Sequence, residues 1–325
     1  MPLWRRLPPE EIQRRQQEQQ EAEASRQALE GGGLPLKAQR RLREEMEAGH
    51  SLFTSDLSAR EFLLTGELGY RPLSQVMGSS IYQIGWQYTR GYTWNTQYME
   101  MGTLSEAHQH AALLALGRLE QEAKLLGAHG VVGVRFTRRR YEWGANLLEY
   151  TAIGTAIKLP NAPQPARPFL SDLSGQEFWT LLQAGYYPAG VVTGYCSYYV
   201  ALGSQLTQQI QGWWVGAANQ EIQPFTQGLY TARHLAMERA SSMARKQQAL
   251  GIVGMHIEND RQVSEYETDN PSRKFMDLYI HFAVLGTSII AVKKDHVIPS
   301  PKPTLTFTDL RPGRYGQNQE LTFRE

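Results

Sequence analysis

The chain of 325 residues has very little cysteine and no long apolar run. Cys196, its single cysteine, excludes an intrachain disulfide and a paired-thiolate metal site, and it fits a reducing compartment. No run of about 18 apolar residues is present, so the sequence predicts no membrane span. The net charge of +1 gives no electrostatic reason to expect nucleic acid or an anionic membrane as a partner. We therefore expect a cytoplasmic protein.

The sequence also lacks the motifs that mark common enzymes. It has no Gly-x-Gly-x-x-Gly after a predicted strand, no phosphate-binding loop, no Gly-x-Ser-x-Gly and no His-Glu-x-x-His. Its 41% hydrophobic and 20% charged residues are those of an ordinary folded protein, and its length is enough for two domains. We expect a protein without catalytic activity.

The N-terminal residues 1–50 form a charged helical extension. Helices are predicted over Glu10–Glu30 and Leu36–Ala48, and glycines separate them. The first helix lacks a broad apolar stripe. The extension is therefore either a solvated, partly disordered segment or a helical arm that docks on a neighbouring subunit.

Proline marks two further boundaries. The stretch from Pro160 to Pro168 is a semi-rigid linker, and prolines open a polar tail near the C-terminus. We therefore divide the chain into the extension 1–50, a first domain 51–159, the linker 160–168, a second domain 169–296 and the tail 297–325.

One apolar segment occurs twice and organises both domains. Gly130-Val-Val-Gly-Val-Arg-Phe136 returns as Gly251-Ile-Val-Gly-Met-His-Ile257. A continuous apolar run of this kind predicts a strand that is buried on both faces. The interior glycine predicts a bulge or the close approach of another backbone segment.

A second repeated segment opens each domain. Phe53-Thr-Ser-Asp-Leu-Ser-Ala-Arg-Glu-Phe62 is matched by Phe169-Leu-Ser-Asp-Leu-Ser-Gly-Gln-Glu-Phe178. Serine and glutamate three residues apart have the spacing of a capping box, so each copy predicts the start of a short helix. The pairs are Ser58 with Glu61 and Ser174 with Glu177. Asp56 and Asp172 also recur, and helix capping explains these acidic residues without catalysis.

Each domain then continues with a strand, a long helix and a closing strand. Each short helix is predicted to end at a glycine, before the strand begins. Thr103 and Glu106 have capping-box spacing at the start of the first long helix, and Pro224 suits the first turn of the second. The predicted strands are residues 73–84, 150–157, 189–202 and 282–289.

The connection between the first strand and the long helix is rich in aromatic residues. Long connections in compact domains tend to be functional or to be ordered by a partner, and Trp and Tyr are enriched at interfaces. These rings therefore either fill an ordinary core or form a subunit interface or ligand site. The residues are Trp86, Tyr88, Tyr92, Trp94, Tyr98, Trp213 and Trp214.

The hairpins that follow the organising strands differ in charge. Arg138, Arg139 and Arg140 lie at the first tip, whereas the segment 258–274 is mainly acidic. These residues are either solvated loop tips or a complementary contact between copies or subunits. Three adjacent arginines alone do not indicate nucleic acid.

Three histidines are the candidates for metal ligands. His108 and His110 are two residues apart on a predicted helix, where their side chains point apart, so one chain does not hold an ion between them. A ring of subunits could bring His108, His110 or His129 together around its axis. The alternative is that all three are structural, and a divalent metal is the one cofactor left open.

A family resemblance rests on two segments of the first domain. Ala123-Lys-Leu-Leu-Gly127-Ala-His-Gly130-Val-Val-Gly-Val134, followed by Tyr150-Thr-Ala-Ile-Gly-Thr-Ala156, resembles the YbjQ-like family, also called the heavy-metal-binding-domain family. The second copy, residues 251–255 with 286–288, is similar but more divergent. Members are small α+β domains that form pentameric rings. The resemblance therefore implies two tandem domains, each a curved, mainly antiparallel sheet with one long helix and a short capping helix.

Two functions remain open at this point. The first is a non-enzymatic, self-assembling scaffold or binding protein that forms a homo-oligomeric ring of five chains, with N-terminal helices that recruit a protein partner. The second is a metal or small-ligand binding module whose sites form at subunit interfaces. Neither predicts a nucleic-acid partner, and the metal-binding label is a family name that these residues do not by themselves explain.

Overall fold

The computed structural model describes residues 9–48, 53–84, 95–140, 147–203, 206–207, 220–267, 274–292, 305–308 and 318–321. The chain divides into two compact units, Met1–Ala291 and Val292–Glu325. The second unit contains a two-stranded antiparallel hairpin. Across the described ranges, no helix has the length and hydropathy that a bilayer crossing requires.

The elements are numbered along the chain. The helices are α1 (Pro9–Glu30), α2 (Leu36–Glu47), α3 (Ala59–Glu67), α4 (Gly102–Leu125), α5 (Gly175–Gln183) and α6 (Gln223–Lys246). The strands of the first unit are β1 (Arg71–Gln83), β2 (Gln97–Glu100), β3 (Gly130–Arg140), β4 (Leu147–Lys158), β5 (Phe169–Leu170), β6 (Tyr186–Ala201), β7 (Gly251–Glu267) and β8 (Lys274–Ala291). The hairpin of the second unit is β9 (Leu305–Thr308) with β10 (Asn318–Leu321).

The first unit contains two four-stranded sheets, with strand orders β1-β4-β3-β5 and β2-β6-β8-β7. All neighbouring strands are antiparallel except β3 and β5. We call residues 53–158 the first half and residues 169–291 the second half. Both halves contain a short helix, a strand, a long helix and two further strands in that order, and β1-β4-β3 has the same order as β6-β8-β7. The α+β fold with mainly antiparallel sheets is confirmed.

Local sequence signals explain where most helices begin. Ser58 and Ser174 each form the predicted capping box at the start of α3 and α5. Pro224 lies in the first turn of α6. The capping box predicted at Thr103 is wrong. Helix α4 already begins at Gly102, with Met101 as N-cap and no side-chain cap, so Thr103 lies within the first turn rather than before it.

The interior glycine of the organising strand forms a bulge, as predicted. Gly133 and Gly254 have φ values of 63° and 64°, in the left-handed region that favours glycine. The pairing register shifts at the same place in both sheets, between Val132 and Arg135 and at the matching point of β7. The bulge turns the second part of each strand relative to the first.

Helix α4 lies close on β1, and helix α6 lies close on β6. A Cβ on Gly78 of β1 would overlap the Ala115 carbonyl oxygen of α4, and a Cβ on Gly194 of β6 would overlap the Ala236 carbonyl oxygen of α6. Alanines along both helices are fully buried at this contact. The small residues therefore allow backbone-to-backbone packing between helix and sheet.

The N-terminal extension packs on its own chain. Leu34 and Leu42 are buried in the core of the first half. The guanidinium of Arg118, on α4, donates to the carbonyls of Leu29 and Gly33 at 3.2 and 3.1 Å. The sequence predicted either a solvated segment or an arm that docks on a neighbouring subunit. The structure places α2 against α4 of the same chain.

The glycine contact gives a stability prediction. Gly78→Ala should destabilise the fold by about 2–3 kcal/mol, because the new methyl group meets helix backbone that cannot rotate away. Gly117→Ala, in the open on α4, is the matched control and should be neutral or stabilising by up to about 1 kcal/mol. Urea unfolding of the three proteins measures both effects. Equal midpoints for Gly78→Ala and the parent would contradict the packing described.

Candidate assembly interface

The second half begins with a segment that completes the sheet of the first half. Strand β5 pairs with the start of β3 in the parallel direction. The bonding continues beyond β5, because the Gly133 N–H donates to the Leu173 carbonyl at 2.8 Å. The Val134 N–H likewise donates to the Ser171 carbonyl at 2.9 Å. The outer edge of β3 is thereby closed by the other half.

Two aromatic rings anchor this segment. A Cβ on Gly130 would overlap the ring of Phe169, so only glycine leaves room for it. Phe169 stacks on Phe178 with 5.6 Å between ring centroids. Phe178 in turn meets the ring of Tyr70, in the first half, edge-on at 5.6 Å. Both phenylalanines are buried between the halves.

The short helices α3 and α5 also meet across the halves. The Gly175 N–H donates to the Glu61 carboxylate at 3.2 Å. A Cβ on Gly175 would lie 2.8 Å from that of Glu61. Glu61 therefore contacts the second half in addition to closing the capping box with Ser58.

In the other direction, the first half supplies a strand to the second. Strand β2 pairs antiparallel with the last residues of β6. Glu100 of β2 accepts a hydrogen bond from Arg239 of α6 at 2.6 Å. Cys196 lies beside this pair, and burial together with the Glu100 charge raises the pKa of its thiol to about 12. The cysteine is thus a neutral, buried side chain.

The start of α4 lies on β6. The Ser197 N–H donates to the Ser105 hydroxyl at 2.9 Å. The Gln109 amide donates to the Thr193 hydroxyl, also at 2.9 Å. Helix α4 therefore contacts the sheets of both halves.

His108 lies at the centre of this contact. Its Nδ1 atom is 2.7 Å from the Tyr150 hydroxyl, and its ring stacks on Tyr195 of the second half with centroids 5.9 Å apart. Burial raises the pKa of both tyrosines, which keeps them neutral. His110 instead meets the ring of Tyr82 at 5.6 Å. The two histidines point apart, as expected for positions two residues apart on a helix.

His129 has protein partners on both ring nitrogens. The Leu159 N–H donates to Nδ1 at 3.4 Å, and Nε2 lies 3.1 Å from the Pro163 carbonyl oxygen. Within the ranges that the structure covers, no three His, Cys, Asp or Glu side chains gather as a metal site. The three histidine candidates are therefore not brought together within one chain.

Asp172 has a buried carboxylate near the junction, with 2% of its side chain exposed. The Thr287 hydroxyl donates to its carboxylate, and the Asp172 N–H donates to the same hydroxyl at 3.0 Å. Burial raises the pKa of Asp172 from 3.8 to about 6. The Asp56 N–H makes the equivalent bond to Thr155, at 3.0 Å. The recurrent aspartates thus contact strand threonines and the serines cap the helices, which corrects the capping interpretation of Asp56 and Asp172.

The three arginines belong to the end of β3 rather than to a loop tip. Arg138 lines a cleft of about 440 Å³ between β3 and β7. Its guanidinium lies 3.8 Å from the Glu258 carboxylate of the second half. Arg139 is exposed, and the side chain of Arg140 lies outside the described residues.

Of the seven aromatic candidates, Tyr98 is the one that lies within the described residues. Trp86, Tyr88, Tyr92, Trp94, Trp213 and Trp214 lie outside the described residues. Tyr98 lies on β2, opposite Val200 of β6. Its hydroxyl donates to the Gln227 side chain of α6 at 3.3 Å. Tyr98 therefore contributes to the contact between the halves.

Strand β7 is the counterpart of β3, but no described segment pairs with its outer edge as β5 pairs with β3. It is the last strand of its sheet in the described chain. Leu250, just before it, is 61% exposed, whereas its counterpart His129 is 7% exposed. A Cβ on Gly251 would meet no atom within 4 Å. The prediction of a strand buried on both faces is confirmed for β3 and wrong for β7, because no described segment takes the place of β5 beside it.

The first half exposes surfaces whose counterparts in the second half are buried. Phe53 stacks on Phe62 with centroids 5.5 Å apart, as the equivalent rings of the second half do, but both are exposed. Met77 and Ile81 of β1 are also exposed, whereas the equivalent positions of β6 are buried beneath α4. Each half thus exposes surfaces whose counterparts are buried in the other half.

The exchange of segments between the halves was not predicted from the sequence. One signal was present: the first segment reads Phe53-Thr54 and the second Phe169-Leu170, so only the second carries an apolar residue for a buried core. The recurrent aspartate followed by a strand Gly-Thr pair was another. Both signals become specific only when the sheet order is known.

Comparison with known proteins gives a family and one named relative. Residues 96–160, from β2 to β4, match the family described as "Putative heavy-metal-binding" (YbjQ_1). The chain is also similar to the encapsulin nanocompartment protein Rv1762c of Mycobacterium tuberculosis (strain ATCC 25618 / H37Rv). The two are 38% identical over 221 residues, or 66% of this chain and 80% of that protein. No solved structure matches the chain. The resemblance seen in residues 123–156 is confirmed.

Asp172 gives a pH prediction. Because its pKa is higher in the folded chain, its stabilising effect is present at low pH and is lost as the pH rises from about 4 through about 6. Asp172→Asn keeps an acceptor for Thr287 and removes this titration. Relative to the variant, the parent should lose up to about 3 kcal/mol of stability between pH 4 and pH 7. Melting temperatures over this range measure the difference, and parallel curves would contradict the buried carboxyl.

Proposed function

The chain belongs to the YbjQ-like family, and we propose that it is a non-enzymatic protein that assembles with copies of itself. The observation that carries this proposal is the open edge of β7. The same strand position in the first half is closed by a neighbouring segment, and its apolar side chains are buried there.

An open apolar edge of this kind requires a partner. A row of free backbone donors and acceptors beside exposed apolar side chains pairs readily with another strand. Leu250, just before β7, is 61% exposed, and Ile257, in the first part of the strand, is 50% exposed. Burial of such a surface by a second copy would remove both the unpaired edge and the exposed apolar area.

The named relative supports an assembly. It is called a nanocompartment protein, a name that implies many protein copies. Because the relative is 38% identical over most of its own length, a role in an assembly is the function that fits this chain best. Absence of catalytic activity and a cytoplasmic location belong to the same proposal.

The proposed assembly is a closed ring of five chains, as the family resemblance implies. The two halves share their element order, bulge position and capping boxes, which supports two tandem copies of one domain. The contact between the halves uses different surfaces on each side. Repetition of such a heterologous contact gives a ring when the rotation between copies closes, and a filament when it does not. The tryptophan-rich connections and the N-terminal helices are further candidate contacts, with a subunit and with a partner protein.

A substitution on the open edge tests the proposal. Leu250→Lys should leave the fold intact, since the side chain is exposed in one chain, and should weaken assembly by roughly tenfold or more because a buried charge would be unpaired. Val263→Lys, exposed further along β7, is the matched control and should assemble normally. Native mass spectrometry over a dilution series reports the oligomer in each case. A parent protein that is monomeric at all concentrations would overturn the proposed function.

A further inference from the structure

We propose that the segment Phe53–Leu57 of one chain adds as a parallel strand to β7 of a second copy, with its phenylalanine ring pair seated over Gly251. The inference rests on the proposed self-assembly and names the surfaces that carry it. The contact between the halves of one chain is its template.

The two ring pairs are built alike but differ in exposure. Phe53 and Phe62 stack at 5.5 Å, and Phe169 and Phe178 stack at 5.6 Å. The second pair is 7% and 0% exposed because the first half covers it. The first pair is 45% and 39% exposed. A preformed pair of exposed, stacked rings is an anchor suited to a second copy of the surface that covers its counterpart.

The site on which these rings would pack lies at Gly251 of β7, and no described residue covers it. Gly130 lies directly beneath the Phe169 ring, where a Cβ would overlap it. Gly251 occupies the same place in the second half, and a Cβ there would meet nothing within 4 Å. The position above Gly251 is therefore free of described atoms within 4 Å of the missing Cβ.

The backbone register follows from the template. At β3, the Phe169 N–H donates to the His129 carbonyl and the Ser171 N–H to the Val131 carbonyl, at 3.1 and 2.9 Å. The equivalent donors in a second copy are the N–H groups of residues 53 and 55, and the equivalent acceptors are the carbonyls of residues 250 and 252. The N–H groups of residues 254 and 255 would donate in return, to the carbonyls of residues 57 and 55. These bonds would pair the free backbone groups along the outer edge of β7 over residues 250–255.

The pairing is head-to-tail. Hydrogen bonds hold the donor segment on the first half, where the Asp56 N–H bonds to Thr155 and the Gln75 N–H to Thr54. The acceptor edge belongs to the second half. Each chain therefore offers one donor and one acceptor, and the contact propagates to a third chain or closes a ring. The competing arrangement, two β7 edges paired with each other, would stop at a twofold dimer.

Cysteine cross-linking tests the register directly. In the template, Val131 and Leu170 are paired across the strands. The equivalent positions are Ile252 and Thr54, and neighbouring strand positions are close enough for a disulfide. We expect the double variant Thr54→Cys with Ile252→Cys, treated with diamide, to give a ladder of cross-linked chains on a non-reducing gel. The native Cys196 is buried and does not compete.

The single variants distinguish the alternatives. Neither Thr54→Cys nor Ile252→Cys alone should cross-link. A dimer from Ile252→Cys alone would show β7 pairing with itself and overturn the inference. An intact oligomer by native mass spectrometry without any ladder would also overturn it, and would leave the proposed function standing. A monomer would overturn the proposed function itself.

A substitution at Gly251 gives an independent measurement. Gly251→Leu should fold normally, because its surroundings are open in one chain, and should raise the concentration for half-assembly roughly tenfold or more by blocking the ring pair. Gly117→Leu, at an open position on α4, is the matched control and should assemble as the parent does. A Gly251→Leu protein that folds and assembles as the parent does would overturn the proposed packing of the ring pair over Gly251.

Discussion

The structure depends on closing the outer edge of an apolar strand. Strand β3 carries valines on both faces, so it needs cover on both sides of its sheet and a partner along its free edge. The chain supplies that partner from its own second half, through the segment that starts at Phe169. The same junction holds the contact between Gly175 and Glu61 and buries the ring pair of Phe169 and Phe178.

The chain contains two copies of this strand edge. The segment that starts at Phe169 covers the edge of β3, whereas no described segment covers the edge of β7. The first half contributes β2 and α4 to the second, and the second contributes β5 and α5 to the first. The unused counterparts are the edge of β7 at one end and the rings of Phe53 and Phe62 at the other. At β1 the pattern changes, because Arg118 reaches the N-terminal helices where its counterpart Arg239 reaches Glu100. The extension thus covers part of the surface that the repeat leaves open.

Local chemistry explains which features the sequence could predict. The serine–glutamate caps and the bulge glycines depend on residues close in the chain, and they were correct. The capping box predicted at Thr103 was wrong because the helix starts two residues earlier, with Met101 as its N-cap, and the sequence pattern is equally compatible with that start. The roles of His108 and Asp172 depend on contacts with residues far away in sequence, Tyr150 and Thr287, so spacing alone could not give them. The same holds for β7, whose apolar sequence indicates a buried strand but does not name the chain that buries it.

Hydrogen exchange at the edge of β7 measures whether a second copy closes that edge. The amides of Gly254 and Met255 should be as protected as those of Gly133 and Val134 in the assembled protein, and should exchange faster when dilution separates the chains. Such a result would show that another copy closes the edge. Rapid exchange at residues 254 and 255 in the intact assembly would show that the edge stays open, and would contradict closure of β7 by a second copy.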